Sequence, residues 1–175
     1  MHHFLISIVV LIVLYFLNKA SGKKVDPYEQ GKYSLYMSKI YQFIGLLGIG
    51  ISVFILFMPV LAEEYTVEIF VATGVLFLFM MALSLPCFLW YKNHRLQFDS
   101  IEVVSKNFYG KEQRIKWEDI EHARFSALSG LLTLTDKRGN VAKAHQHLVG
   151  FSTFIHELKS QKNKCSFSSE LPPGI

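Results

Sequence analysis

A chain of 175 residues with a formal charge of +4 has room for about one soluble domain and a few membrane spans. At 51% hydrophobic and 18% charged, with its charge kept out of three long apolar runs, it does not read as a wholly soluble protein. Its two cysteines, Cys87 inside an apolar run and Cys165 in the tail, are not placed to pair, and a reducing compartment suits both.

The runs are Phe4–Leu17, Phe43–Leu61 and Ile69–Tyr91, and none contains Lys, Arg, Asp or Glu. A helix needs roughly 20 apolar residues to cross a hydrocarbon core of about 30 Å. The second and third runs, at 19 and 23 residues, meet that length, whereas the first has 14. Fourteen would also suit a cleaved signal peptide, but Met-His-His supplies no Lys or Arg, and Ala20-Ser21 lies among lysines. A short retained helix that thins the bilayer locally, or extends with His2, His3 and Asn18, is the expectation for this run.

Asp26-Pro27-Tyr28-Glu29 reads as a helix start, with Asp at the N-cap, Pro at the first position and Glu completing a capping box. A helix beginning there is expected to run on into the second apolar run, with Tyr33, Tyr36 and Tyr41 near the interface. Within that run, Gly48 and Ser52 stand at small-xxx-small spacing and Gly45 and Gly50 add two more small residues. They suit either a dimer contact or packing against another span of the same chain, and the second is expected. Pro86 predicts a kink in the third run, whose Trp90 and Tyr91 suit the headgroup layer.

Loop charge sets the orientation. Lys19, Lys23, Lys24, Lys32 and Lys39 lie between the first two runs, and Lys92 and Arg95 follow the third. Glu63, Glu64 and Glu68 fill the loop between the second and third. The positive-inside rule puts the first loop and the C-terminal half in the cytoplasm, and the N-terminus outside. With no ionisable residue inside a run, the membrane part, residues 1–91, reads as an anchor and not as a transporter.

From Lys92 to about Lys162 the pattern changes to short alternating stretches divided by turn residues, the mark of half-buried strands. Strands are expected over His94–Asp99, Ile101–Ser105 (Ile101 and Val103 on one face), Glu112–Trp117, Ile120–Leu128, Leu131–Thr135 and Val141–His147. Asn107–Gly110, Ser129-Gly130 and Asp136–Asn140 supply the turns. Gly150–Gln161 shifts to helical spacing, with Phe151, Phe154, Ile155 and Leu158 as one apolar stripe. Residues 163–175, Ser-rich and ending near Pro172-Pro173, read as a loosely docked or disordered tail.

Arg114-Ile115-Lys116-Trp117-Glu118-Asp119-Ile120, continued by Leu132–Asp136, Gly139 and the Phe-rich helix, resembles the signature of bacterial pleckstrin-homology-like (PH) domains. The resemblance covers about residues 94–161 and implies an α+β membrane protein of the bacterial inner membrane. It would have three N-terminal transmembrane helices ahead of a PH-like bent β-sandwich of seven strands, capped by a C-terminal helix. Only six strands can be counted from the pattern, which leaves the seventh missing or hidden in Lys106–Gly110. Ile115, Trp117, Asp119, Ile120 and Gly139 have structural roles on this reading. Trp117 buries a large ring whose N–H needs a partner, and Asp119 can hold backbone N–H groups at the bend.

Chemistry is sparse. His145 and His147, two apart on a strand, could face one ion, but no Cys, Asp or Glu lies beside them, so a solvent-facing edge pair is expected. No catalytic, cofactor or metal site is assigned, and an enzyme reading would need His145 and His147 in a pocket with a carboxylate. Between Lys92 and Lys164 there are 13 Lys or Arg and 8 Asp or Glu, a balance of +5 (13 − 8). Lys111, Arg114, Lys116, Lys137 and Arg138, with Lys106, Arg124 and Lys143, could therefore face membrane lipid. Nucleic acid is not expected, because aromatic and basic residues are not interleaved. The functional expectation is a membrane-anchored interaction or scaffold module that recruits a protein partner or self-assembles. The alternative is binding or sensing of anionic lipid or a small ligand at the inner leaflet.

Overall fold

The computed structural model describes residues 15–16, 19–20, 22–29, 31–164 and 168–170. The first apolar run, Phe4–Leu17, lies almost wholly outside the described residues. The chain divides into two units: Lys39–Lys92 forms one, and the residues before and after it form the other.

The inserted unit is a pair of helices, α1 (Lys39–Leu61) and α2 (Val67–Asn93). At 23 and 27 residues and about 1.5 Å per residue they are some 34 and 40 Å long, enough to cross a bilayer. Most of their large apolar side chains are exposed, Phe54 and Phe57 on α1 and Leu78 and Phe79 on α2 among them. Such surface suits lipid and not water. These are the two candidate spans among the described residues. Glu63, in the left-handed region at φ 56°, ends α1, and the Glu64 N–H reaches the Pro59 carbonyl at 3.1 Å. α2 runs unbroken through Pro86.

The small residues of α1 face α2. A Cβ on Gly45 would come within 2.7 Å of the Phe88 backbone nitrogen, and one on Gly48 would collide with the Ser84 side chain. Ser52 and Ser84 turn their hydroxyls back on the carbonyls of Gly48 and Met80, both at 2.7 Å, so neither leaves a polar group unpaired. Gly50 has nothing within 4 Å of its added Cβ.

The strand unit holds two four-stranded sheets. In the first, β1 (Tyr33–Tyr36), β2 (Arg95–Phe98), β3 (Glu102–Lys106) and β4 (Glu112–Lys116) pair antiparallel in that order. In the second the order is β7-β6-β5-β8, from β5 (Ile120–Ser126), β6 (Leu131–Asp136), β7 (Val141–His145) and β8 (Ser168–Glu170). β8 lies parallel to β5, so part of the expected loose tail forms a strand edge. Helix α3 (Phe151–Lys164) buries Phe151, Phe154, Ile155 and Leu158, the stripe expected of it.

The helix expected to start at Asp26 does not form. Residues 23–27 are irregular and lead to β1, where Leu35 is fully buried and Tyr33 stacks on Phe98 at 5.0 Å. A strand that the pattern did not offer thus lies ahead of the helices, and with β8 the described residues hold eight strands; 107–110, where a seventh was sought, is a turn. The local capping signal loses to pairing with β2, a partner that comes after both helices in the chain.

Side-chain caps fix the turns. Asn107 Oδ1 accepts the Tyr109 and Lys111 N–H groups at 3.0 Å, with Gly110 at φ 81°. Asp136 Oδ1 accepts those of Arg138 and Asn140 at 2.9 and 2.7 Å, with Gly139 at φ 81°. Asp99 takes Ile101 and Glu102 in the same way, at 2.7 and 2.9 Å. Ile101 therefore sits in a turn and is 65% exposed, contrary to its expected place beside Val103. Ser105 is buried there instead, its hydroxyl donating to the Lys143 carbonyl at 2.7 Å.

Candidate functional site

The residues of the Trp117 motif meet at the corner between β4 and β5. Ile115 and Ile120 are buried on either side of a 3-10 turn, Trp117–Asp119. Trp117 Nε1 donates to the Asp99 carbonyl at 2.8 Å, and its ring lies 6.1 Å from that of Phe154 on α3. Asp119 contributes its carbonyl, which accepts the Lys137 N–H at 3.0 Å. Asp99 and Asp136 cap with their side chains at other turns, β2–β3 and β6–β7. Gly139, at φ 81°, turns the β6–β7 hairpin.

The basic residues do not form one patch. The register sets Lys106 opposite Glu112 at one end of the first sheet and Glu102 opposite Lys116 at the other. Lys111 is in the turn beyond the first end. Lys116 lies at the second, 3.7 Å from Glu118 Oε1, and Lys137 donates to the Glu118 carbonyl at 3.2 Å, with Arg138 next in the chain. Arg114 stands between the ends, 3.5 Å from Glu102 Oε1. Five strand residues, about 17 Å, separate the two groups, and carboxylates interrupt both ends and the centre: Glu112 opposite Lys106, Glu102 beside Arg114 and Glu118 beside Lys116.

The histidines are not a solvent-facing pair. His145 is buried, and a third histidine joins it from the residue after α2. His94 Nδ1 faces the Lys106 carbonyl at 2.9 Å, and because a carbonyl only accepts, Nδ1 carries the proton. Its Nε2 then accepts the His145 N–H at 3.3 Å, and His145 Nδ1 accepts the His147 N–H at 3.1 Å. Each bond requires an unprotonated ring nitrogen. Burial pushes His94 and His147 below the usual histidine range. Burial, helped by the neighbouring His147 and His94, lowers His145 to about 4. Among the described residues no group of three His, Cys, Asp or Glu side chains is placed to hold a metal ion. His94 was not singled out in the sequence, where a lone histidine between a helix and a strand carries no signal.

The outer face of the first sheet carries two open depressions. One, about 170 Å³, is lined by Tyr28, Lys32, Gln97, Asp99, Glu102 and Arg114 among others. The second, about 100 Å³, is lined by Arg95, Gln97, Val104, Lys106 and Glu112. Both are polar and of mixed charge, and both fall below the roughly 300 Å³ at which small-molecule sites begin. No protein-family model matches the chain, and no curated protein matches it either.

Proposed function

We propose that the chain is a membrane-anchored, pleckstrin-homology-like interaction module of a bacterial inner membrane. Its strand unit would stand on the cytoplasmic side and dock a protein partner or a second copy. α1 and α2 would cross the bilayer, with Phe4–Leu17 as a third, shorter span. The fold assignment draws support from two strand sheets followed by the amphipathic helix α3, although β8 adds a strand beyond the seven that the resemblance implies. Orientation draws support from the lysines before α1 and the glutamates between the helices.

The observation that carries the functional reading is the outer face of the first sheet. Its shallow depressions are too small to enclose a ligand, and Lys32, Arg114, Asp99 and Glu102 alternate in sign there, as the polar rim of a protein interface does. The division of the basic residues between two ends weighs against a single anionic-lipid pocket. The test is affinity capture of the full chain from detergent, with proteins and lipids analysed together, beside the double charge reversal Glu102→Lys with Arg114→Glu. A stoichiometric protein or self-association lost in the reversed variant is the expected result. Retention of one anionic lipid class, lost when Lys111, Arg114 and Lys116 are neutralised, would overturn it in favour of lipid sensing.

A further inference from the structure

We infer that the strand unit touches the lipid headgroup layer through two turn tips, Phe108–Tyr109 of the β3–β4 turn and Leu128 of the β5–β6 turn. The inference rests on α1 and α2 crossing the membrane, and it goes beyond the docking role proposed above.

Both tips belong to the end of the strand unit where the chain leaves for the helices and returns. In register, Tyr36 pairs with Arg95 and Arg95 with Lys106, so the last residue of β1, the first of β2 and the base of the β3–β4 turn form one row. Asn93, the last residue of α2, donates from Nδ2 to the Phe108 carbonyl at 2.8 Å. The β5–β6 turn is tied to the same end: the Gly130 carbonyl accepts the Gln146 N–H at 2.7 Å, and the adjacent His145 N–H reaches His94 at 3.3 Å.

Turn tips are ordinarily polar, because they project into water. These carry Tyr109 at 85% exposure and Leu128 at 101%. A single exposed apolar residue means little. Two on separate turns, tied to Asn93 and His94 where α2 ends, mean more. The headgroup layer is about 5–8 Å deep on each side of the hydrocarbon, and a group bonded to the last residue of α2 lies within that reach. An aromatic ring with a hydroxyl suits this layer, and the exposed Lys111 beside it suits anionic lipid.

The test labels the full chain with a nitroxide at a single cysteine, in a background of Cys87→Ser and Cys165→Ser. The sites are Tyr109→Cys, Leu128→Cys, Ile101→Cys and Phe57→Cys. The protein is reconstituted in phosphatidylcholine vesicles with and without phosphatidylglycerol, and collision with oxygen is compared with collision with a water-soluble nickel chelate. Ile101 is the control: it is also apolar and exposed, at 65%, but it sits at the opposite end of the first sheet, in the Asp99 turn. The inference expects oxygen to dominate at 57, to exceed the Ile101 value at 109 and 128, and nickel to dominate at 101. Labels at 109 and 128 that behave like 101 while 57 remains lipid-like overturn the inference alone. A label at 57 that meets nickel overturns the membrane reading and the inference with it. Labels at 109 and 128 shielded from both reagents indicate a protein contact and also overturn it.

Discussion

His94 Nε2 and His145 Nδ1 accept the backbone N–H groups of His145 and His147, and each accepts only while its ring is neutral. Protonating His94 at Nε2 removes the acceptor of the His145 N–H, and protonating His145 at Nδ1 removes that of His147. The direction of the pH effect follows. With His145 lowered to about 4 from 6.5, the unfolded chain binds a proton first as pH falls. The stabilising contribution is complete above about pH 6.5 and is lost on descent towards about pH 4, with a slope of at most about 1.4 kcal/mol per pH unit for one proton. Denaturant unfolding, followed through Trp117 at about pH 7 and about pH 5, should show lower stability at the acid end. His145→Gln should flatten that slope. A slope unchanged by the substitution would assign the acid sensitivity to other groups.

At the level of elements, the local signals were readable and the long-range ones were not. Asn107, Asp136, Gly110 and Gly139 mark turns because an Asx side chain and a glycine at positive φ suffice to make them, with no distant partner. The α3 stripe and the two long helices were equally plain. β1 was hidden because its four residues read as strand only when β2 is beside them, and a capping signature preceded it. The histidine chain was hidden for the same reason, since His94 and His145 are 51 residues apart in sequence. Small residues at helical spacing were visible in α1, and the structure distinguishes among them. Gly45→Ala should loosen the helical pair by about 1–3 kcal/mol, because its methyl meets the Phe88 backbone. Gly50→Ala meets nothing and should be neutral or gain up to about 1 kcal/mol from helix propensity. Unfolding of both variants in mixed micelles would compare them, and equal stabilities would refute the α1–α2 contact at Gly45.

For the whole molecule, the helical pair occupies the place of a hairpin loop. β1 and β2 are antiparallel neighbours, Tyr36 opposite Arg95, and the helices are inserted between them. A fragment that starts after α2 therefore lacks one edge of the first sheet, and with it Leu35 and Met37, both fully buried. It also lacks the Tyr36 carbonyl that accepts the Val149 N–H ahead of α3 at 2.9 Å, and the Tyr33 ring that covers Phe98. Losing two buried aliphatic side chains removes on the order of 4–8 kcal/mol, comparable with the 5–15 kcal/mol that holds a small domain together. Residues 93–164 alone should be unfolded or lack cooperative unfolding. Residues 22–38 joined to 93–164 through a short glycine-rich loop should unfold cooperatively, because strands already paired as a hairpin need only a few residues to close. Circular dichroism melts of the two proteins decide the matter. A cooperative transition in the fragment without β1 would show that the first strand is an accessory to the sheet and not part of its core.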